Sequence, residues 1–276
     1  MLEPEELGQR KSDLAATLRT LRKEAGLTGQ SLALKCAMSQ SKISKIETGR
    51  LLPSVVDVER ILRAVNAPQD LVAEVVALAR MANTEFQDVR SLLRKGLEKR
   101  QHELASLEAA AREVRFFLPA MITALIATPE YIRASLSHSP ADTSKAVAKK
   151  LERQAVLYDE SKTFNFIIVE SAIRWAILPP ALMALQIDRL VSLSHLPNIQ
   201  VGVIPLGVHS PRGPMNTFTV YDNRLATAET FNGAIVMRDP RDVTFYRELF
   251  SQFASLALFE DDARAQLTQW AALFRH

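Results

Sequence analysis

A single cysteine, Cys36, stands among 276 residues. No internal disulfide is possible, and one thiol alone makes no cysteine-based metal site. The five histidines (His102, His138, His195, His209 and His276) are scattered without an H-x-x-x-H spacing, so neither a metal nor any other cofactor is expected. There is no P-loop, no G-x-S-x-G and no Cys–His pairing. The chain is therefore expected not to be an enzyme. Long apolar runs are missing too: nothing approaches the ~20 residues that cross a bilayer. The opening "MLEPEELGQRKSD" is acidic and polar, with no apolar signal segment behind it. A cytoplasmic protein without membrane attachment is expected. No internal repeat or low-complexity tract is present.

What remains is a globular composition, 47% hydrophobic and 24% charged, in a chain long enough for two domains. The net charge of +3 is mild, but its distribution is uneven. Residues 1–115 hold 19 basic and 16 acidic side chains, whereas 116–276 hold 15 of each. Between Arg10 and Arg50 there are 9 basic and 3 acidic side chains, a local +6. A basic cluster confined to one small region is the footprint of a phosphate-binding surface, or else a solvated face.

The first 81 residues read as a five-helix bundle. "SDLAATLRTLRKEAG" places Leu14, Leu18 and Leu21 on one face, with Ser12 or Asp13 as N-cap and Gly26 as stop. Thr28, Ser39 and Ser54 cap the second, third and fourth helices, and Asp70–Met81 makes the fifth. Glu85–Arg115 carries a loose stripe of leucines and predicts one long helix, a connector over 82–115. From residue 116 the pattern becomes α+β. "TFNFIIVE", "NIQVGVIPLG", "MNTFTVYD" and "LATAETF" read as strands, the last two joined by a two-residue turn, "NR". The expected fold is thus multidomain and mainly α, with a C-terminal α+β domain, 116–276, whose mixed or antiparallel sheet is covered by helices.

One stretch carries chemistry. In "SQSKISKIETG" the 100° step of a helix puts Ile43 and Ile46 on one side. Gln40, Ser41, Ser44 and Lys45 fall opposite, with Lys42 on the flank and no carboxylate at the centre. Gln pairs with adenine, Lys reaches guanine or phosphate, and Ser permits close approach. Two helices joined by so short a turn, the second bearing this face, make a helix-turn-helix that lays its second helix in the major groove.

Leu21–Val65, with its L-T-x-x-x-L-A, S-Q-S-x-I-S-x-I-E-x-G and P-S runs, resembles the Cro/repressor-type helix-turn-helix of the xenobiotic-response-element family. The resemblance implies a recognition helix over Ser39–Glu47. Thr28 would contact backbone phosphate, Gln40, Ser41, Ser44 and Lys45 base edges, and Lys42 and Arg50 phosphates, with Ser39 counted in the DNA-binding set. Arg22 and Glu47 would form a structural ion pair. Gly29 departs from the family, which often has Gln there. Segments such as "LEKRQHELASLEAAAREVRFFLPA", "LERQAVL" and "YRELFSQF" further resemble actinobacterial WhiJ-like, antitoxin-like regulators with a C-terminal domain of unknown function. "ITALIATPEY" departs from that group's Pro-Gly-Leu-Leu-Gln-Thr run. The resemblance implies a transcriptional regulator, acting with a small protein encoded next to it.

In the second half, "GVHSPRGP" sets His209, Ser210 and Arg212 on a loop, and Glu170, Arg174 and Trp175 gather at a strand end. Trp175, His209 and Arg212 are the candidate ligand or partner residues; "FEDDARA" reads as a helix start rather than a metal site. Three functions follow: a homodimeric regulator on a palindromic operator, with a partner protein; a one-component sensor of a small-molecule effector; and, least supported, a DNA-tethered enzyme.

Overall fold

A computed structural model describes residues 4–88, 97–138, 142–231 and 233–275. They divide into two compact units, Met1–Phe86 with Ile235–Asp242, and Gln87–Ala234 with Val243–His276.

The first unit holds helices α1 (Pro4–Glu24), α2 (Gly29–Lys35), α3 (Gln40–Glu47), α4 (Val55–Ala64) and α5 (Gln69–Asn83). Helix α1 is already running at the Ser12/Asp13 position where a cap was expected. Proline at the start of a helix sacrifices no intrahelical bond, so Pro4 permits the longer helix. Leu14, Leu18, Leu32, Ile43, Ile46, Val58, Ile61 and Leu62 make one buried core. Three caps hold the helix starts: the Thr28, Ser39 and Ser54 hydroxyls accept from the amides of Ser31, Lys42 and Asp57. Asp57 answers the Ser54 amide and completes a capping box.

This unit is not continuous in sequence. Its last piece is Ile235–Asp242, where buried Asp239 accepts the Val55 amide at 2.9 Å and the Arg241 amide at 2.9 Å. Arg241 pairs with Glu59, and Arg238 donates its amide to the Asn83 carbonyl.

The long connector helix is not formed. Thr84–Asp88 is a strand, β1, and the helix α6 covers only Leu97–Ala110; residues 89–96 lie outside the described set. By Glu113 the chain is in the sheet. Lys162 donates to the carbonyls of Ala109 and Ala111, closing the helix end from a distant element.

The second unit is built on β2 (Glu113–Leu118), β3 (Thr163–Val169), β4 (Ile199–Ile204), β5 (Phe218–Tyr221) and β6 (Leu225–Thr230), in the order β6-β5-β2-β3-β4; β7 (Gly233–Met237) begins in this unit and ends in the first. The sheet is mixed, as the sequence led one to expect. β2, β3 and β4 are parallel, with Leu118 opposite Ile168 and Val169 opposite Ile204. β5 runs antiparallel to β2 and β6 to β5. The β2–β3 crossover carries α7 (Pro129–Ser135), α8 (Ser144–Arg153) and a 3-10 turn, Gln154–Tyr158; the next carries α9 (Glu170–Arg174) and α10 (Pro180–Leu193). Helices α11 (Pro240–Ala254) and α12 (Glu260–Ala272) follow. Phe117 stacks on Phe253 of α11 at 4.0 Å, and Phe116 on Phe166 at 4.8 Å. Leu258 bridges to Val203 on the edge strand, and there Gly202 is required: a Cβ would meet the Phe259 ring at 2.5 Å.

The β5–β6 turn has three residues, 222–224, not two. Asp222 sits at φ 49°, and its carboxylate accepts the amides of Arg112 and Glu113. A tertiary contact thus sets the turn length. Strand β7 was not read from the sequence at all.

Candidate nucleic-acid interface

Helix α2 ends at Lys35, and the chain turns through Cys36, Ala37 and Met38 before Ser39 caps α3. Ala37 takes φ 51°, and the Met38 amide returns to the Ala33 carbonyl at 2.9 Å. This left-handed closure points α3 away from α2 within three residues. Cys36 lies in the core, its thiol donating to the Arg60 carbonyl, and burial pushes its pKa up against the pull of the Arg60 charge. It behaves as a small apolar side chain.

Ile43 and Ile46 are buried beneath α3. Gln40, Ser41, Ser44 and Lys45 are exposed on the opposite side, as are Thr28, Ser39 and Arg50. At the far end Glu47 is gripped by Arg22: Nε donates to Oε1 at 2.6 Å and Nη2 to Oε2 at 2.8 Å, while Nη1 donates to the Leu27 carbonyl. The hydrogen bond to Glu47, outweighing burial, holds the Arg22 pKa above its ordinary value. Glu47 faces the bundle and not the open face. Lys42 is not a free cation either, because its ammonium lies 2.7 Å from Asp57 Oδ1. The resulting open face offers amide, hydroxyl and ammonium groups with no carboxylate, which suits base edges and phosphates.

Sequence reading missed a second basic feature. Lys35, Arg60 and Arg63, all exposed, line a cleft of about 320 Å³ with Ala64 and Asn66. Their one signal was the i, i+3 spacing of Arg60 and Arg63 on α4, and nothing in it pointed to Lys35.

In the second unit Trp175 is 73% exposed at the end of α9. Glu170 accepts Arg174 on Oε1 at 3.0 Å and the Leu206 amide on Oε2 at 2.7 Å, so it anchors the loop that carries His209 and Arg212. Arg212 lies 5.8 Å from the Phe245 ring centroid. His209 is exposed and stands apart from these contacts. Glu260, Asp261 and Asp262 occupy the first turn of α12, and Asp261 pairs with Arg264. Among the described residues no cluster of three or more His, Cys, Asp or Glu could hold a metal, and no helix is long and apolar enough to cross a membrane.

Residues 101–269 match a family described as a domain of unknown function, DUF5753, which spans more than half of the chain. The chain belongs to the DUF5753 family. In this DUF5753 protein residues 13–75 also match a helix-turn-helix domain family, so the α2–α3 pair is a recognised DNA-binding module. No curated protein matches. Three solved structures are similar at low identity. A phospholipase D family member, Nuc from Salmonella typhimurium, is 10% identical over 58% of this chain and 90% of its own, TM-score 0.34. NucT from Helicobacter pylori is 10% identical over 64% and 98%, TM-score 0.39. TrmBL2, an archaeal chromatin protein, is 11% identical over 79% and 68%, TM-score 0.34.

Proposed function

We propose that this DUF5753 protein is a sequence-specific transcriptional regulator of the Cro/repressor type, WhiJ-like and antitoxin-like, acting in the cytoplasm by binding and not by catalysis. It works as a homodimer, setting two recognition helices about 34–36 Å apart on a palindromic operator. Its C-terminal unit holds the dimer or a small partner protein encoded next to it. The observation that carries the reading is the α3 face: Gln40, Ser41, Ser44 and Lys45 are exposed over an underside buried through Ile43 and Ile46.

The test is a footprint on the DNA upstream of the gene, at about 150 mM salt, beside a Gln40→Ala/Lys45→Ala double mutant. A palindromic site protected by the wild type and lost in the mutant is expected. Salt-sensitive smearing alike for both proteins means non-specific phosphate attraction and overturns the assignment of these reader residues.

A further inference from the structure

The three parallel strands end together, and the chain leaves them through residues 119–128 after β2, 170–179 after β3 and 205–217 after β4. The last of these crosses to β5, whose Phe218 pairs with Phe117 at the same end of the sheet. Two bonds tie the loops to one another: Ser171 Oγ donates to the Pro119 carbonyl at 2.6 Å, and the Leu206 amide donates to Glu170 at 2.7 Å. Helix α11 joins the same end, since Phe218 lies 5.1 Å from Tyr246 and Arg212 sits over Phe245.

This end of the sheet exposes Met121, Trp175, Leu206, Val208, Met215 and Phe245, with Trp175 at 73% and Met215 at 94%. Scattered apolar side chains on a surface need no explanation, but a gathering on linked loops marks an interaction site. The exposed charges on these loops have one sign. Their single carboxylate, Glu170, is buried and both its oxygens are engaged, by Arg174 and by the Leu206 amide. Arg174, Arg212 and His209 supply the remaining ionisable groups. Apolar contact area with a cationic rim is the complement of an amphipathic segment that carries carboxylates.

We infer that the carboxyl-end loops of the sheet dock an acidic amphipathic segment of a partner protein. Its apolar side chains lie on Trp175, Leu206 and Val208, and its carboxylates meet Arg212 and Arg174. The inference rests on the reading of the C-terminal unit as the partner-binding half and names the surface and the chemistry of that partner.

Tryptophan emission provides the assay, because Trp175 is exposed while the other tryptophan, Trp270, is buried. The full-length protein is titrated with a synthetic helix of Leu, Ala and Glu, its leucines on one face, and with a counterpart carrying Lys for every Glu. Anisotropy of the labelled peptides is followed in parallel. The Glu peptide is expected to bind saturably and shift Trp175 emission to the blue, and the Lys peptide to do neither. Arg212→Glu and Leu206→Ser/Val208→Ser are each expected to weaken binding by about tenfold or more, with melting temperatures unchanged. Equal response to the two peptides, no response to either, or unaltered affinity in Arg212→Glu overturns the inference. Trp175 emission that shifts with protein concentration alone assigns the surface to a second copy of the chain, and overturns it too. Operator footprints run on the same preparations separate the two readings. A failed titration with operator protection intact removes the docking surface alone; absent protection with a saturable titration removes the regulator reading alone.

Discussion

Replacing Asp239 by alanine tests whether a segment near the end of the chain belongs structurally to the helix-turn-helix unit. Val55 is the first residue of α4 and is buried, so its amide has no intrahelical acceptor and no water. The Asp239 carboxylate supplies that acceptor across 184 positions of sequence, and also takes the Arg241 amide. A hydrogen bond to a charged group contributes about 1.5–3 kcal/mol, and an orphaned buried donor costs about 1–3 kcal/mol. Removing Asp239 also relieves the cost of burying its charge, so a net loss of about 2 kcal/mol is expected. With a urea slope of about 1.5 kcal/mol per molar, the midpoint of the first unit falls by about 1.3 M. Both tryptophans lie in the second unit. Far-UV circular dichroism sees the helices of both units, so the part of its transition that comes from the first is expected to move while tryptophan emission does not. Amide exchange at Val55 gives the local reading, fast in the variant and slow in the wild type. A dichroism midpoint unchanged within about 0.3 M, with Val55 still protected, refutes the argument.

Two further substitutions probe the turn and the titration behaviour. Ala37 pays for its left-handed φ of 51°, so Ala37→Gly is expected to stabilise the first unit by up to about 1 kcal/mol in urea unfolding, and an unchanged or lower midpoint counts against strain at the turn. In the second unit, burial and then the charge of Arg153 push the Lys150 ammonium down to about 8 against the pull of Glu229. A lysine depressed in the folded state costs stability when protonated: the cost is full below about pH 8 and disappears above the unfolded value near 10.5. Lys150→Met is therefore expected to raise the tryptophan-monitored midpoint at pH 7, with the gain shrinking between pH 8 and 10.5. A gain independent of pH means packing alone.

The parts of this molecule that could be read from sequence are those whose causes are local. Thr28, Ser39 and Ser54 stand one residue before the amphipathic runs they cap, and their hydroxyls bond amides three residues on. The α3 face follows from the helical step, because Ile43 and Ile46 need only a partner surface below. Errors occurred where the cause lies elsewhere in the chain. The leucine stripe of 85–115 satisfied a helix pattern, yet β2 takes Glu113–Leu118 because β3 and β5 flank it on both sides. The hairpin gained a residue because Asp222 binds the amides of Arg112 and Glu113, 109 or more positions away. The surface on the carboxyl-end loops was legible only as Trp175, His209 and Arg212 taken singly. What unites most of it is a shared strand register, and periodicity carries no information about that.

The same distinction explains how the exposed face of α3 is held. A helix of eight residues anchored only by two isoleucines has freedom to roll, and each rolled position exposes a different set of side chains. Two ion pairs oppose that motion from different sides. Arg22 of α1 holds Glu47 at the C-terminal end through a forked pair, and Asp57 of α4 holds Lys42 at the N-terminal end. Asp57 is itself fixed by the Ser54 amide, so the N-terminal tether is as rigid as the capping box. Lys42, which the helical step leaves on the flank and the family resemblance makes a phosphate contact, is drawn into this support. Gln40, Ser41, Ser44 and Lys45 are thereby held in one orientation. Order built in before binding lowers the entropy lost on binding, and so in the regulator proposed above the charges at the two ends of α3 would serve recognition by holding the helix.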